Sequence, residues 1–179
     1  MKLHEVAQNI KPGENSKIIE WLTAMKIKDY TINDNGIVNV EGNVNMDGYQ
    51  LKYIPFQFGH VAGYFDCSDN NLTNLKGCPH TVTDNFVCSG NKLTSLEGAP
   101  RFVGRDFCCY DNPQLDNWLQ FIFNTKFKLV GRFIGTGPSK LDNIINDYLP
   151  NKDLLGFIER VCELNNPELF QYVQEFIKK

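Results

Sequence analysis

The central part of the sequence repeats every 21 residues. The segment FDCSDNNLTNLKGCP begins at Phe65, FVCSGNKLTSLEGAP begins at Phe86, and the same spacing reaches Phe107 on one side and Val44 on the other. Further apolar residues recur in this register, namely Val40, Val61, Val82 and Val103, then Met46, Cys67, Cys88 and Cys109. Self-similarity at a fixed period indicates equivalent structural units stacked along one axis. The repeat therefore predicts a solenoid.

Each repeat contains the pattern of a short strand followed by a turn. Two apolar residues lie two positions apart, as Phe65 and Cys67 do, which places both side chains on one face of a strand. An Asn follows three residues after the Cys, and a Leu two residues after that, as in Asn70 and Leu72. This order matches the second half of the leucine-rich-repeat pattern. Residues 40–115 thus resemble a short leucine-rich repeat.

The resemblance implies an α/β leucine-rich-repeat solenoid with one short parallel strand per repeat, and repeats that start near residues 40, 61, 82 and 103. It also implies that an Asn side chain braces each turn, at Asn70, Asn91 and Asn112. The chain further resembles small bacteriophage-encoded leucine-rich-repeat proteins, through YTINDNG at 30–36, VNVEGNV at 38–44 and the FxCSxNxLTSLEGxP repeats. That group implies a phage source but no settled activity.

The segments on either side of the repeats predict caps, which a solenoid needs at its ends. Residues 1–39 predict an N-terminal cap of one helix, with apolar residues from Ile18 to Met25 at helical spacing, and one hairpin around Asn35-Gly36. Residues 116–179 predict a helical C-terminal subdomain, with helices that begin near 118, 139, 152 and 166.

Charge and composition exclude several classes of function. Lys and Arg total 18 against 21 Asp and Glu, a net charge of −3, which predicts neither nucleic acid nor an anionic membrane as partner. No apolar run is long enough for a membrane span, and the N-terminus lacks the apolar core of a signal peptide. We therefore expect a soluble, cytoplasmic protein, located in the host cytoplasm if it is phage-encoded.

The residues capable of chemistry are scattered. We expect Cys67, Cys88 and Cys109 to stack inward as small apolar side chains, and Cys108 to point outward and react readily with thiol reagents. Neither the six cysteines nor the three histidines show metal-ligand spacing, so we predict no metal and no cofactor. The stretch GRFIGTGPSK at 131–140 lacks the spacing of a phosphate-binding loop. Nothing in the sequence predicts catalysis.

The register singles out one surface as the candidate site. If Phe65 and Cys67 point inward, the residues before, between and after them point outward. Stacking this row through four repeats gives Asn43, Asn45, Asp47, Tyr64, Asp66, Ser68, Asn85, Val87, Ser89, Asp106, Cys108 and Tyr110. The row contains no Lys or Arg, so its acids suit a partner with a basic patch, and its tyrosines are typical of binding hot spots. An ordinary solvated sheet face is the alternative interpretation.

The leading hypothesis is a non-enzymatic protein-interaction module that binds, and modulates or inhibits, a host defence or regulatory protein. A second hypothesis places a small-molecule or nucleotide site in the C-terminal half, because of the glycines at 131–137. A third hypothesis is a virion or assembly component, which would self-associate.

Overall fold

The computed structural model describes residues 13–115, 118–124, 126–135, 139–163, 167, 171 and 173–174. The helices are α1 (Asn15–Ala24), α2 (Trp118–Ile122), α3 (Ser139–Tyr148) and α4 (Leu154–Glu163), with a 3₁₀ helix at Leu149–Asn151. The strands are β1 (Tyr30–Ile32), β2 (Val38–Val40), β3 (Val44–Asn45), β4 (Phe58–Val61), β5 (Phe65–Asp66), β6 (Thr81–Val82), β7 (Phe86–Val87), β8 (Phe102–Val103), β9 (Phe107–Cys108), β10 (Lys128–Leu129) and β11 (Phe133–Ile134).

The strands form two sheets that run along the axis of a parallel β-solenoid. One sheet has the order β1-β2-β4-β6-β8-β10, and the other has the order β11-β9-β7-β5-β3. All pairs are parallel except the β1–β2 hairpin. Phe65 pairs with Phe86 and Phe86 with Phe107, so the 21-residue register is the strand register. The predicted α/β solenoid is confirmed.

Each turn of the solenoid carries two short strands, one more than the sequence predicts. The second strand contains the valine of each repeat, and Val61 pairs with Val82 just as Phe65 pairs with Phe86. The valine position therefore forms its own ladder of backbone hydrogen bonds with the next turn. Only a few residues separate the two strands of a turn, so the chain bends sharply between the two sheets.

The interior is a stack of identical side chains from successive turns. The rings of Phe65 and Phe86 stack with centroids 5.8 Å apart, and those of Phe86 and Phe107 lie 5.0 Å apart. The ladder ends on Phe133, whose ring lies 5.6 Å from that of Phe107. Aromatic pairs at these distances contribute about 0.5–1.5 kcal/mol each beyond the area that they bury.

A second buried ladder consists of asparagines. The Asn91 side-chain carbonyl accepts a hydrogen bond from the Leu72 N–H at 2.9 Å, and its amide donates to the carbonyls of Cys67 and Cys88 at 2.9 and 3.2 Å. Asn70 and Asn112 make equivalent bonds in the neighbouring turns. These side chains pair backbone groups that the tight corner would otherwise leave unsatisfied. The bracing role implied by the resemblance is thus present.

The N-terminal cap consists of α1 and the β1–β2 hairpin, as predicted. Helix α1 buries Ile18, Trp21 and Leu22, and the Trp21 ring meets that of Phe56 edge-on at 5.1 Å. The hairpin pairs Tyr30 with Val40 and extends the first sheet by one antiparallel strand. This end of the core is therefore covered by apolar side chains.

The solenoid continues beyond residue 115, where the sequence predicts the start of the helical subdomain. Strands β10 and β11 add another turn, but its hydrogen bonds join residues 26 apart instead of 21. The additional residues form α2, which accounts for the change in the apolar pattern. The predicted boundary between residues 115 and 116 therefore lies within the solenoid, one turn before its last strands.

Helix α3 closes the last strand with two polar side chains. The Asn146 side chain accepts a hydrogen bond from the Phe133 N–H at 2.7 Å and donates to the Phe133 carbonyl at 2.9 Å. The Asp142 carboxylate accepts from the Gly135 N–H at 3.2 Å. An unpaired strand edge is a template for association with another chain, and α3 covers this edge.

Helix α4 packs on α3, with the Phe157 ring 6.4 Å from that of Tyr148, and it also contacts the residue after α2, with the Phe157 ring 5.6 Å from that of Phe123. The helices predicted near 118, 139 and 152 are confirmed. Residues 167, 171 and 173–174 are helical, and the rest of the predicted fourth helix lies outside the described residues.

The asparagine ladder can be tested with Asn91→Ala. This change leaves the buried Leu72 N–H without a partner, and we expect a loss of about 2–4 kcal/mol in the free energy of unfolding, measured by urea denaturation. Asn71→Ala is the matched control because Asn71 is only half-buried and no hydrogen bond to its side chain is found in the described structure. The control should change stability by less than about 0.5 kcal/mol. Equal losses in the two variants would contradict the bracing role.

Candidate interaction surface

The candidate surface, called the strand face below, consists of the twelve outward positions of β3, β5, β7, β9 and their flanking residues. Phe65 and Cys67 are fully buried, whereas Tyr64 and Asp66 keep contact with solvent, as the alternation in the sequence predicts. The exposed members are Asn43, Asn45, Asp47 and Tyr110. The half-buried members are Tyr64, Asp66, Ser68, Asn85, Val87, Asp106 and Cys108.

Ser89 is the exception in the strand face. Its side chain is 2% exposed, and its hydroxyl has no hydrogen-bond partner. Serine is the shortest outward side chain of its turn, and it lies between Ser68 and Tyr110 in the register. The expectation that Ser89 offers a contact surface is therefore wrong.

Several polar side chains of the strand face accept hydrogen bonds from the backbone. The side-chain carbonyl of Asn43 accepts from the Tyr64 N–H at 3.1 Å, and that of Asn85 accepts from the Asp106 N–H at 3.0 Å. The Asp66 carboxylate accepts from the Ser68 N–H at 2.9 Å and from the Ser68 hydroxyl at 2.5 Å. These bonds hold the side chains in one geometry, so little conformational entropy remains to be lost when a partner binds.

The last turn contributes a positive charge to the strand face that the 21-residue spacing does not predict. The Arg132 guanidinium lies 2.8 Å from the Asp106 carboxylate and lowers the pKa of that carboxyl group through a hydrogen bond. Arg132 is outside the predicted row because the turn that carries it is 26 residues long. The acidic character predicted for the whole row is therefore limited to Asp47 and Asp66, at its N-terminal end.

Apolar surface runs through the middle of the strand face. Val87 and Cys108 occupy equivalent positions on successive turns, Tyr64 lies in the neighbouring row of the register, and Tyr110 is 45% exposed. Beside this strip lies a cleft of about 370 Å³, lined by Asn85, Asp106, Arg105, Val130 and Gly131 among others. Val130 is 64% exposed at its edge. The strand face thus combines an acidic end, an apolar centre and a shallow cleft.

The glycine-rich stretch at 131–137 is described up to residue 135. The Gly131 N–H donates to the Arg105 carbonyl at 3.2 Å, and the Gly135 N–H donates to the Asp142 carboxylate at 3.2 Å. In a phosphate-binding loop such N–H groups point at the anion. Here both N–H groups already donate to acceptors of the protein. At Gly135 the acceptor is the Asp142 carboxylate, which takes the place of an anion. Burial raises the pKa of this carboxyl group.

Among the residues that the structure describes, no three His, Cys, Asp or Glu side chains are arranged to hold a metal ion. Within the same residues, no helix has the length and apolar character needed to cross a membrane.

Comparison of the chain with protein-family models, with curated proteins and with solved structures yields no significant match.

The thiols on the two sides of the sheet differ in accessibility. Cys88 is fully buried between Cys67 and Cys109, and burial raises its pKa well above the ordinary value. Cys108 is half-buried, and burial raises its pKa to about 11, with a smaller contribution from Asp106. Because the thiolate is the reactive form, we expect Cys108 to react more slowly than the sequence predicts.

Labelling kinetics can test this placement. With iodoacetamide and mass spectrometry, we expect the folded protein to label slowly at Cys108 near neutral pH, with a rate that rises about tenfold per pH unit up to pH 10. Cys88 should label only after denaturation. Cys108→Ser is the control that assigns the slow reaction. Labelling of Cys88 as fast as Cys108 in the folded protein would contradict the register and with it the strand face.

Proposed function

We propose that this chain is a non-enzymatic protein-interaction module that binds its partner through the strand face. The observation that carries the proposal is that several polar side chains of that face are held by backbone hydrogen bonds beside accessible apolar side chains. A surface organised before binding loses less entropy on association than a mobile one. The parallel ladders below it fix the spacing between successive turns.

The chemistry of the strand face indicates the chemistry of the partner. Tyrosines such as Tyr64 and Tyr110 provide large apolar area with a polar tip, which is typical of hot spots. Asp47 and Asp66 favour basic groups, whereas the Asp106–Arg132 pair offers both signs at the other end. The partner we propose therefore presents an apolar patch with Lys or Arg on one side.

The source that the repeats suggest gives this partner a biological setting. The resemblance of the FxCSxNxLTSLEGxP repeats to phage-encoded leucine-rich-repeat proteins supports a phage origin. We therefore propose that the chain acts in the host cytoplasm and modulates or inhibits a host defence or regulatory protein. The alternative of a nucleotide site at 131–137 has less support, because the described glycine N–H groups there are already bound. A virion or assembly component stays an alternative, which self-association in solution would favour.

Affinity capture from a bacterial host lysate tests the proposal. Tyr64→Ala combined with Asp66→Asn removes one aromatic side chain and one charge while keeping the oxygen that accepts from Ser68. We expect this variant to retain the partner at least about tenfold less well than the wild type, since hot-spot losses exceed about 1.4 kcal/mol. Unchanged thermal melting would show that the fold is intact.

The matched control lies on the N-terminal cap. Ile19→Ala combined with Glu20→Gln also removes one exposed apolar side chain and one carboxylate, but from α1. Capture by this variant should equal that of the wild type. A partner that is lost equally with both double variants, or retained equally by both, would reject the strand face as the binding site.

A further inference from the structure

A groove of about 560 Å³ lies beside helix α2 and shares no residue with the strand face. Its inner part is apolar, because the half-buried side chains of Phe121 and Ala99 lie there over the buried Leu96 and Phe127. Its edge is charged, with Arg101 and Lys126 both exposed. A concave apolar surface with a few polar groups at its edge is the usual character of a small-molecule site.

The groove lies where the repeat length changes. Regular turns stack directly on one another, but the turn that leads to β10 is longer and forms α2. Phe121 and Asn124, at the end of this helix, stand beside the loop at 95–99 of the preceding turn. The walls are therefore supplied by two different kinds of turn.

Within the part of the chain that the structure describes, the two cations at the edge of the groove form no ion pair. The chain has four arginines, and three of them form ion pairs: Arg105 with Asp84 at 3.6 Å, Arg132 with Asp106 at 2.8 Å and Arg160 with Glu163 at 3.1 Å. Arg101 and Lys126 pair with no carboxylate of the described residues. Glu97 also lines the groove, yet it forms no ion pair with either of them among those residues.

The backbone at both cations is fixed. The Arg101 N–H donates to the carbonyl of His80, another lining residue, at 2.9 Å. The Lys126 N–H donates to the side-chain carbonyl of Asn124 at 2.8 Å. Two positive side chains thus extend from fixed positions beside aromatic surface, in a chain whose net charge is −3.

We propose that this groove binds a small organic anion with a flat apolar body. A carboxylate or phosphate group would accept charge-assisted hydrogen bonds from Arg101 and Lys126. The apolar body would lie against Phe121 and Ala99, and Glu97 would accept a hydrogen bond from a hydroxyl or amino group of the ligand. The site is independent of the strand face, so either can be present without the other.

The test uses 1-naphthyl phosphate as the probe, with inorganic phosphate and 1-naphthol as its two halves, in isothermal titration calorimetry. Because the groove offers both kinds of surface, we expect the dissociation constant of the whole probe to be at least about tenfold lower than that of either half. Equal affinity for inorganic phosphate would overturn the apolar part of the proposal. The absence of binding at millimolar concentration would overturn it entirely.

Two arginine variants locate the site. Arg101→Ala should weaken binding of 1-naphthyl phosphate about tenfold, the effect of losing one charge-assisted hydrogen bond. Arg105→Ala removes the same side chain four positions away, outside the groove, and should change the affinity less than about twofold. Amide NMR shifts on titration should concentrate at 95–101 and 121–127. Equal effects of the two variants, or shifts centred elsewhere, would overturn the proposal.

Discussion

The structure depends on the buried asparagine ladder. A turn of 21 residues leaves the strand at a sharp corner, where the chain follows a left-handed backbone conformation at Gly48, Asp69, Gly90 and Asp111. Such a corner exposes N–H and C=O groups toward the core, and a buried unsatisfied group costs about 1–3 kcal/mol. The asparagine of each turn pairs these groups with its own turn and with the preceding one. The asparagine ladder thus supports the register of the phenylalanine and cysteine ladders beside it.

The two ends of the array are covered in different ways. At the last strand, the N–H groups of Phe133 and Gly135 have no further turn of the array to which they can donate. Asn146 and Asp142 of α3 accept from those donors and take the place of a further turn. At the other end, apolar packing by α1 and the hairpin covers the core. The C-terminal cap therefore pairs polar backbone groups, whereas the N-terminal cap buries apolar side chains.

The two candidate sites arise from opposite properties of the array. The strand face depends on regularity, because equal spacing of turns aligns Asp66, Val87 and Cys108 in one row, with Tyr64 in the row beside it. The groove depends on a departure from regularity, the longer turn that forms α2 and brings Phe121 beside the loop at 95–99. A rigid scaffold thus presents a flat surface along its length and a concave one near its end.

The sequence by itself determined the solenoid, the inward ladders and the capping helices, because a fixed period and alternating apolar residues specify which side chains meet regardless of distant contacts. It also predicted most of the strand face for the same reason. Only the tertiary structure decided the second strand of each turn, the burial of Ser89 and the charge that Arg132 adds beside Asp106. These features depend on how far the backbone bends and on the register of a turn of different length. Neither quantity is encoded in a local pattern, since both result from packing between turns.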